Sequence, residues 1–194
     1  MSMPVPSLLD QRGQRKYLTK KERDAFLQAI TKLPDAEHLY CATLLWTGCR
    51  PSEARLLRYE HLDLAENVII IPTLKKRKSN VYRRVPIPDT FLLQLVIYCE
   101  AINADTSNKN LWAWGRTKAY EVVKEVLVKQ GQVGSSAMPK TLRHTFGVHA
   151  IQKGIPVHLV QRWMGHAQAS TTAIYLNVMG KEERRFAERM WGNI

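Results

Sequence analysis

The sequence predicts a mainly α domain with one small antiparallel β-hairpin set among its helices. Apolar residues recur at helical spacing along most of the chain. One pair of β-branched runs, by contrast, is separated by a cluster of cations, the pattern of two strands around a basic tip. With 194 residues and 45% hydrophobic content, the chain suits one globular domain with a core of its own.

Residues 1–16 hold Pro4, Pro6 and Gly13 with little periodicity, and read as an N-terminal arm or linker. The ordered domain is expected over residues 17–194. Thr19 followed by Glu22 makes a capping box, and Phe26, Leu27 and Ile30 then form an apolar stripe, which predicts the first helix. A more apolar helix is expected from Ala36 to about Trp46, running into Thr47-Gly48-Cys49-Arg50. Pro51 is suited to open a third helix, which places Arg50 at a helix N-terminus. Val68 to Ile71 and Tyr82 to Ile87 are the two strands of the hairpin. Beyond Pro88 the pattern predicts helices at about 89–103, 116–129, 139–153, 156–164, 169–176 and 181–191.

Lys and Arg number 29 against 17 Asp and Glu, a formal net charge of +12. Such a field attracts polyanions, so nucleic acid is the first candidate partner and an anionic membrane surface the second. No apolar run approaches the roughly 20 residues of a membrane-spanning helix, and no apolar core follows the early basic residues. A soluble cytoplasmic or nucleoid-associated protein is therefore expected. Cys41, Cys49 and Cys99 are odd in number and far apart, and are expected as reduced thiols. His144 and His149 lie about 140° apart around a helix, and no glutamate completes a zinc motif with them, so no metal site is expected. His144 is expected to pack or bond behind Arg143.

Cutting DNA without a metal requires a nucleophile, cations that stabilise a pentacoordinate phosphorane, and an acid for the departing 5′ oxygen. Three stretches offer them: Thr47-Gly-Cys-Arg-Pro-Ser-Glu, Pro139-Lys-Thr-Leu-Arg-His-Thr-Phe-Gly, and Met164-Gly-His through Thr171-Thr-Ala-Ile-Tyr. Lys140 and Arg143 are three apart on a predicted helix, so both can face one phosphate while Leu142 and Phe146 face the core.

These stretches resemble the signature boxes of the tyrosine recombinases, also called the lambda-integrase family, over roughly Leu18 to Tyr175. The resemblance implies the tyrosine-recombinase catalytic fold and assigns Arg50 to the first box, Lys140 with Arg143 to the second, and His166 to the Gly-His. Tyr175, nine residues beyond His166, then takes the position of the nucleophile. It further implies that Arg50 and Arg143 fork onto the nonbridging oxygens of the scissile phosphate, that His166 donates to the same phosphate, and that Tyr175 forms a 3′-phosphotyrosine link without metal, ATP or other cofactor. The general acid is implied to be a hairpin lysine: Lys75 in its Thr-Leu-Lys context resembles the family position most, and Lys78 fits a shorter hairpin. Lys76, Arg77, Lys78, Arg83 and Arg84 are expected to contact DNA, and Glu53 to orient neighbouring basic groups.

Two departures stand out. Many members carry histidine where this chain has Lys140, and lysine, with its high ordinary pKa, is a poor base near neutrality. Only about sixteen residues precede the catalytic region, so no full N-terminal core-binding domain is expected within this chain, as in the short fimbrial phase-variation invertases and plasmid or transposon recombinases; the chain is either naturally minimal or one domain of something longer. The implied partners are duplex DNA with a specific recombination site, further copies of the chain, dimer to tetramer, joined through the C-terminal segment, and accessory DNA-bending proteins, with no membrane. A catalytically silent DNA-binding accessory protein and a type IB topoisomerase-like relaxing activity are the alternatives.

Overall fold

A computed structural model describes residues 7–74 and 81–176. Lys75, Lys76, Arg77, Lys78 and the helix expected at 181–191 lie outside the described residues.

Helix α1 (Lys20–Ile30) starts at a complete capping box: the Thr19 side chain accepts from the Glu22 backbone and the Glu22 carboxylate accepts from the Thr19 backbone. Its buried face is Arg23, Phe26 and Ile30. Helix α2 (Asp35–Thr47) is the centre of the main core and is buried on nearly every side, which explains its continuous apolar sequence. It ends at Gly48, whose left-handed backbone (φ 60°) stops the helix. A side chain at Gly48 would place its Cβ 2.5 Å from the Phe146 ring, so the glycine also lets a later helix approach. Pro51 opens the one-turn α3 (Pro51–Ala54).

A three-stranded antiparallel sheet follows in the order β1 (Leu62–Asp63), β2 (Val68–Pro72), β3 (Tyr82–Pro86). β1 was not predicted; two residues are too few to show alternation. The register pairs Ile69 with Val85 and Ile71 with Arg83. Along β3 burial alternates, so Arg83 and Val85 face inward while Tyr82 and Arg84 face out.

The helices α4 (Asp89–Ala101), α6 (Arg116–Lys129), α7 (Lys140–Gln152) and α8 (Val157–Met164) agree with the pattern to within about two residues at their ends, and a one-turn α5 (Ala104–Ser107) adds a corner between α4 and α6. The last, α9 (Ala169–Ala173), is shorter than expected: Tyr175 lies just beyond it, in a turn whose backbone N–H donates to the Thr172 carbonyl at 3.1 Å.

Buried apolar residues form two clusters. The larger joins α1, α2, α4, α6 and the sheet, with Leu142 of α7 reaching into it. The smaller lies on the other side of α7 and holds Val148, Ile151, Val160, Met164, Ile174 and Tyr175. Leu8 belongs to it, because residues 7–16 fold back in a turn closed by the Leu9–Arg15 bridge and held by an Asp10–Ser135 hydrogen bond of 2.8 Å. Among the described residues, no helix is long and apolar enough to cross a membrane.

Candidate active site

α7 runs between the two cores and carries Lys140, Arg143 and His144 on its first turns. Arg143 is 9% exposed, and its guanidinium is fixed by two carbonyls: Nη1 donates to Gly48 at 2.6 Å and Nη2 to Met164 at 2.7 Å. Those carbonyls sit at the C-terminal ends of α2 and α8, where helix dipoles favour a cation. Each Nη keeps a second N–H for another acceptor. Burial, and next the charge of Arg50, pull this guanidinium down to about 10, still protonated at neutral pH.

Arg50 precedes α3 and is partly exposed. Its Nη1 donates to Glu53 Oε1 at 2.8 Å, and its backbone N–H donates to Glu53 Oε2 at 2.9 Å. Glu53 is fully buried, and its second partner is Arg83, whose Nη2 donates to Oε2 at 2.6 Å. Burial alone would raise the Glu53 carboxyl, but Arg83 and Arg50 outweigh it and hold it below the ordinary carboxylate value.

Arg83 corrects an expectation. Grouped by sequence with the DNA-contacting cations, it is buried, with Nε on the Trp163 carbonyl at 2.7 Å, Nη1 on Thr73 Oγ1 at 3.1 Å and Nη2 on Glu53. It thus ties Thr73, just past β2, to Glu53 of α3 and to the last turn of α8. The signal was present in the two-residue alternation that puts Arg83 on one face with Val85 and Ile87. Arg84 does face solvent, with its Nη2 on Asp63 at 2.7 Å. Lys140 is exposed at the first position of α7.

His166 follows the left-handed Gly165 that ends α8. Its Nδ1 is 2.8 Å from Thr172 Oγ1, so a residue of α9 sets the ring's orientation. Burial, then Arg143 and Arg50, push the imidazole down to about 3, which keeps it neutral. Its ring lies parallel to that of Tyr175, 10° apart, with centroids separated by 6.3 Å.

Tyr175 is 1% exposed. Its ring lies flat against Gly147 of α7, where an added Cβ would meet ring carbons at 2.6 Å. Its hydroxyl is 3.2 Å from His144 Nδ1. Burial pushes the phenol up to about 12, against the opposite pull of Arg143 and Arg50. The fold therefore gathers Arg50, Arg143, His166 and Tyr175, separated by up to 125 positions, around one small region, with Glu53 and Arg83 beneath it. Thr172, His144 and Gly147 join it without having been singled out as site residues. His144, expected behind Arg143, instead meets Tyr175, a contact between distant parts of the chain that no local pattern carries.

A family model described as the phage integrase family matches residues 16–182. The chain belongs to the phage integrase family. Among its relatives, tyrosine recombinase XerA of Pyrococcus furiosus is 29% identical over 180 residues, covering 90% of this chain and 61% of that protein. A tyrosine recombinase of Thermosipho africanus is 28% identical, covering 93% of this chain and 64% of that one. The chain thus spans less than two thirds of the length of these relatives. The crystal structure of XerA recombinase superposes with a TM-score of 0.75 at 22% identity, covering 92% of this chain and 66% of that one. XerH site-specific recombinase bound to difH substrate in a pre-cleavage complex gives 0.74 at 20%, covering 92% and 59%. The catalytic domain of bacteriophage HP1 integrase gives 0.65 at 19%, covering 89% of this phage integrase family chain and 95% of that domain. These likenesses establish the tyrosine-recombinase catalytic fold.

Proposed function

We propose that this chain is the catalytic part of a site-specific DNA recombinase that cleaves and rejoins duplex DNA through a 3′-phosphotyrosine at Tyr175. The observation that carries this reading is the approach of Arg50, Arg143 and His166 to one tyrosine, with Tyr175 and His166 stacked ring on ring.

In this reading Arg50 and Arg143 hold the nonbridging oxygens of the scissile phosphate. Arg143 is pre-aimed by its two carbonyl contacts, so little reorganisation is needed when negative charge grows on the phosphorane. With Thr172 donating to Nδ1, the neutral His166 ring carries its proton on Nε2 and donates it to a phosphate oxygen. The Tyr175 oxygen attacks phosphorus, the bond to the 5′ oxygen breaks, and a lysine of the 75–80 tip, Lys75 by resemblance, protonates that oxygen. The reverse attack by a 5′-hydroxyl rejoins the strands, and because one phosphoester replaces another, no ATP is consumed. Lys140 and Arg84, both exposed, meet the DNA backbone. The DNA-bound state of XerH supports duplex DNA with a recombination site as the partner. Strand exchange between two such sites calls for several copies of the chain on DNA.

The test is a randomised library of nicked suicide duplexes incubated with the chain. The wild type becomes covalently attached to a 3′ phosphate in a subset of sequences, and Tyr175→Phe attaches to none. Equal attachment by both proteins would sink the assignment.

A further inference from the structure

The phenol of Tyr175 must lose a proton as it attacks, and many members of the family carry histidine where this chain has Lys140, whose ammonium offers only donors. We infer that His144 Nδ1 receives the Tyr175 proton during cleavage and returns it during rejoining. The inference rests on Tyr175 being the nucleophile.

The geometry favours His144 over the other nearby groups. Its Nδ1 lies 3.2 Å from the Tyr175 hydroxyl, within reach of a proton transfer, and the rings are tilted by 53° so that the nitrogen meets the oxygen edge-on. The His166 ring lies parallel to that of Tyr175, with centroids 6.3 Å apart, and its Nδ1 is taken by Thr172. Lys140 is exposed to solvent. Gly147, one turn after His144 on the same helix, lets the phenol lie against α7, so the contact is built into the packing.

The charges around His144 explain why transfer waits for DNA. The ring is flanked by Arg143 and Lys140 on α7, by Lys16 in the N-terminal turn, and by the His166 ring, while Tyr175 is its hydrogen-bond partner. Burial first, then these cations, hold the imidazole down to about 4, so at neutral pH the ring is uncharged and Nδ1 can accept from the phenol. Next to a phenol near 12 it is too weak a base to take the proton in the free protein. A phosphodiester seated on Arg50 and Arg143 adds negative charge to this cationic surround and favours an imidazolium. As the tyrosine oxygen bonds to phosphorus it also loses its own affinity for the proton.

The balance closes within the site. The bond from tyrosine oxygen to phosphorus forms as the bond from phosphorus to the 5′ oxygen breaks. The phenolic proton moves to His144 Nδ1, and the 5′ oxygen takes a proton from the general acid. Rejoining reverses each transfer, and His144 gives its proton back to the departing phenolate.

The experiment measures single-turnover attachment to a nicked suicide duplex from about pH 5 to about pH 9 for wild type, His144→Asn and His144→Ala. Asparagine can still accept from the phenol but does not titrate, so it separates holding from proton transfer. His144→Asn is expected to slow attachment at neutral pH by roughly 10²–10⁴-fold, the usual worth of a positioned base, with the deficit shrinking as pH rises. Added imidazole should restore attachment by His144→Ala and do nothing for Tyr175→Phe. Cleavage by His144→Asn within about threefold of wild type, or a deficit equal at every pH, overturns the inference while leaving Tyr175 as nucleophile. No attachment by the wild type to any duplex overturns the functional reading, and this inference with it.

Discussion

Arg83 and Glu53, thirty positions apart, meet in a buried ion pair of 2.6 Å, and the same carboxylate holds the side chain and backbone of Arg50. Arg50 is therefore anchored to β3 through a single acidic residue with no exposure to solvent. A charge in that position is stable only while its partners remain.

Replacing Arg83 by methionine should destabilise the domain by about 3 kcal/mol, since Glu53 would keep only Arg50. Adding Glu53→Gln to that variant should return part of the loss, because the uncompensated charge is gone. Urea unfolding of the two variants checks this. Additive losses would mean that the pair is not coupled.

Gly147→Ala should cost about 1–3 kcal/mol, as a Cβ 2.6 Å from the Tyr175 ring must push it aside. The displaced tyrosine should become open to nitration, read by mass spectrometry on the peptide that carries it. An unchanged melting temperature together with an unreactive Tyr175 would contradict the close packing.

Stability should fall as pH drops below about 6.5, the ordinary histidine value. In the unfolded chain His144 and His166 take up protons there, whereas in the folded domain burial and the nearby arginines delay them to about 4 and about 3. The unfolded state then binds more protons across this window, so stability rises with pH within it. Double replacement by asparagine should flatten the slope of melting temperature against pH between those limits.

DNA affinity should decline steeply with salt, through release of counterions from phosphate contacts. Arg84→Ala should reduce the slope of log K against log salt by about one, and Arg83→Met should leave it unchanged, since only Arg84 reaches solvent. Equal slope changes at both positions would mean that Arg83 reaches the DNA.

Thr19→Ala should cost about 1 kcal/mol by opening the capping box of α1. Burial alone would raise Glu22, but the hydrogen bonds from Thr19, then Gln132 and Arg15, hold it at about 2. The stabilisation from that carboxylate is complete above its ordinary value of 4.5 and lost as pH falls toward about 2. The difference in melting temperature between wild type and Thr19→Ala should accordingly narrow over that range.

Local features were readable because their causes are local. Thr19 and Glu22 cap a helix through bonds three residues long, Pro51 opens one by its fixed φ, and β2 is an unbroken run of β-branched residues from Val68 to Ile71. β1 and α5 escaped notice because two and four residues are too short to carry a period. Arg83 reads as surface because it stands beside other cations, yet it shares the inward face of β3 with Val85, two positions on, which is core.

By itself, the sequence determined the helical class, the hairpin and the ordered set Arg50, Lys140, Arg143, His166, Tyr175, because chain spacing and residue chemistry are written directly in it. Tertiary structure alone decided that Tyr175 rests buried in a turn beyond α9, that its hydroxyl meets His144, and that Arg83 supports Arg50 through Glu53. Those relations depend on which faces of distant elements come into contact. That is set by the summed packing of two cores on either side of α7, and no short stretch of sequence contains it.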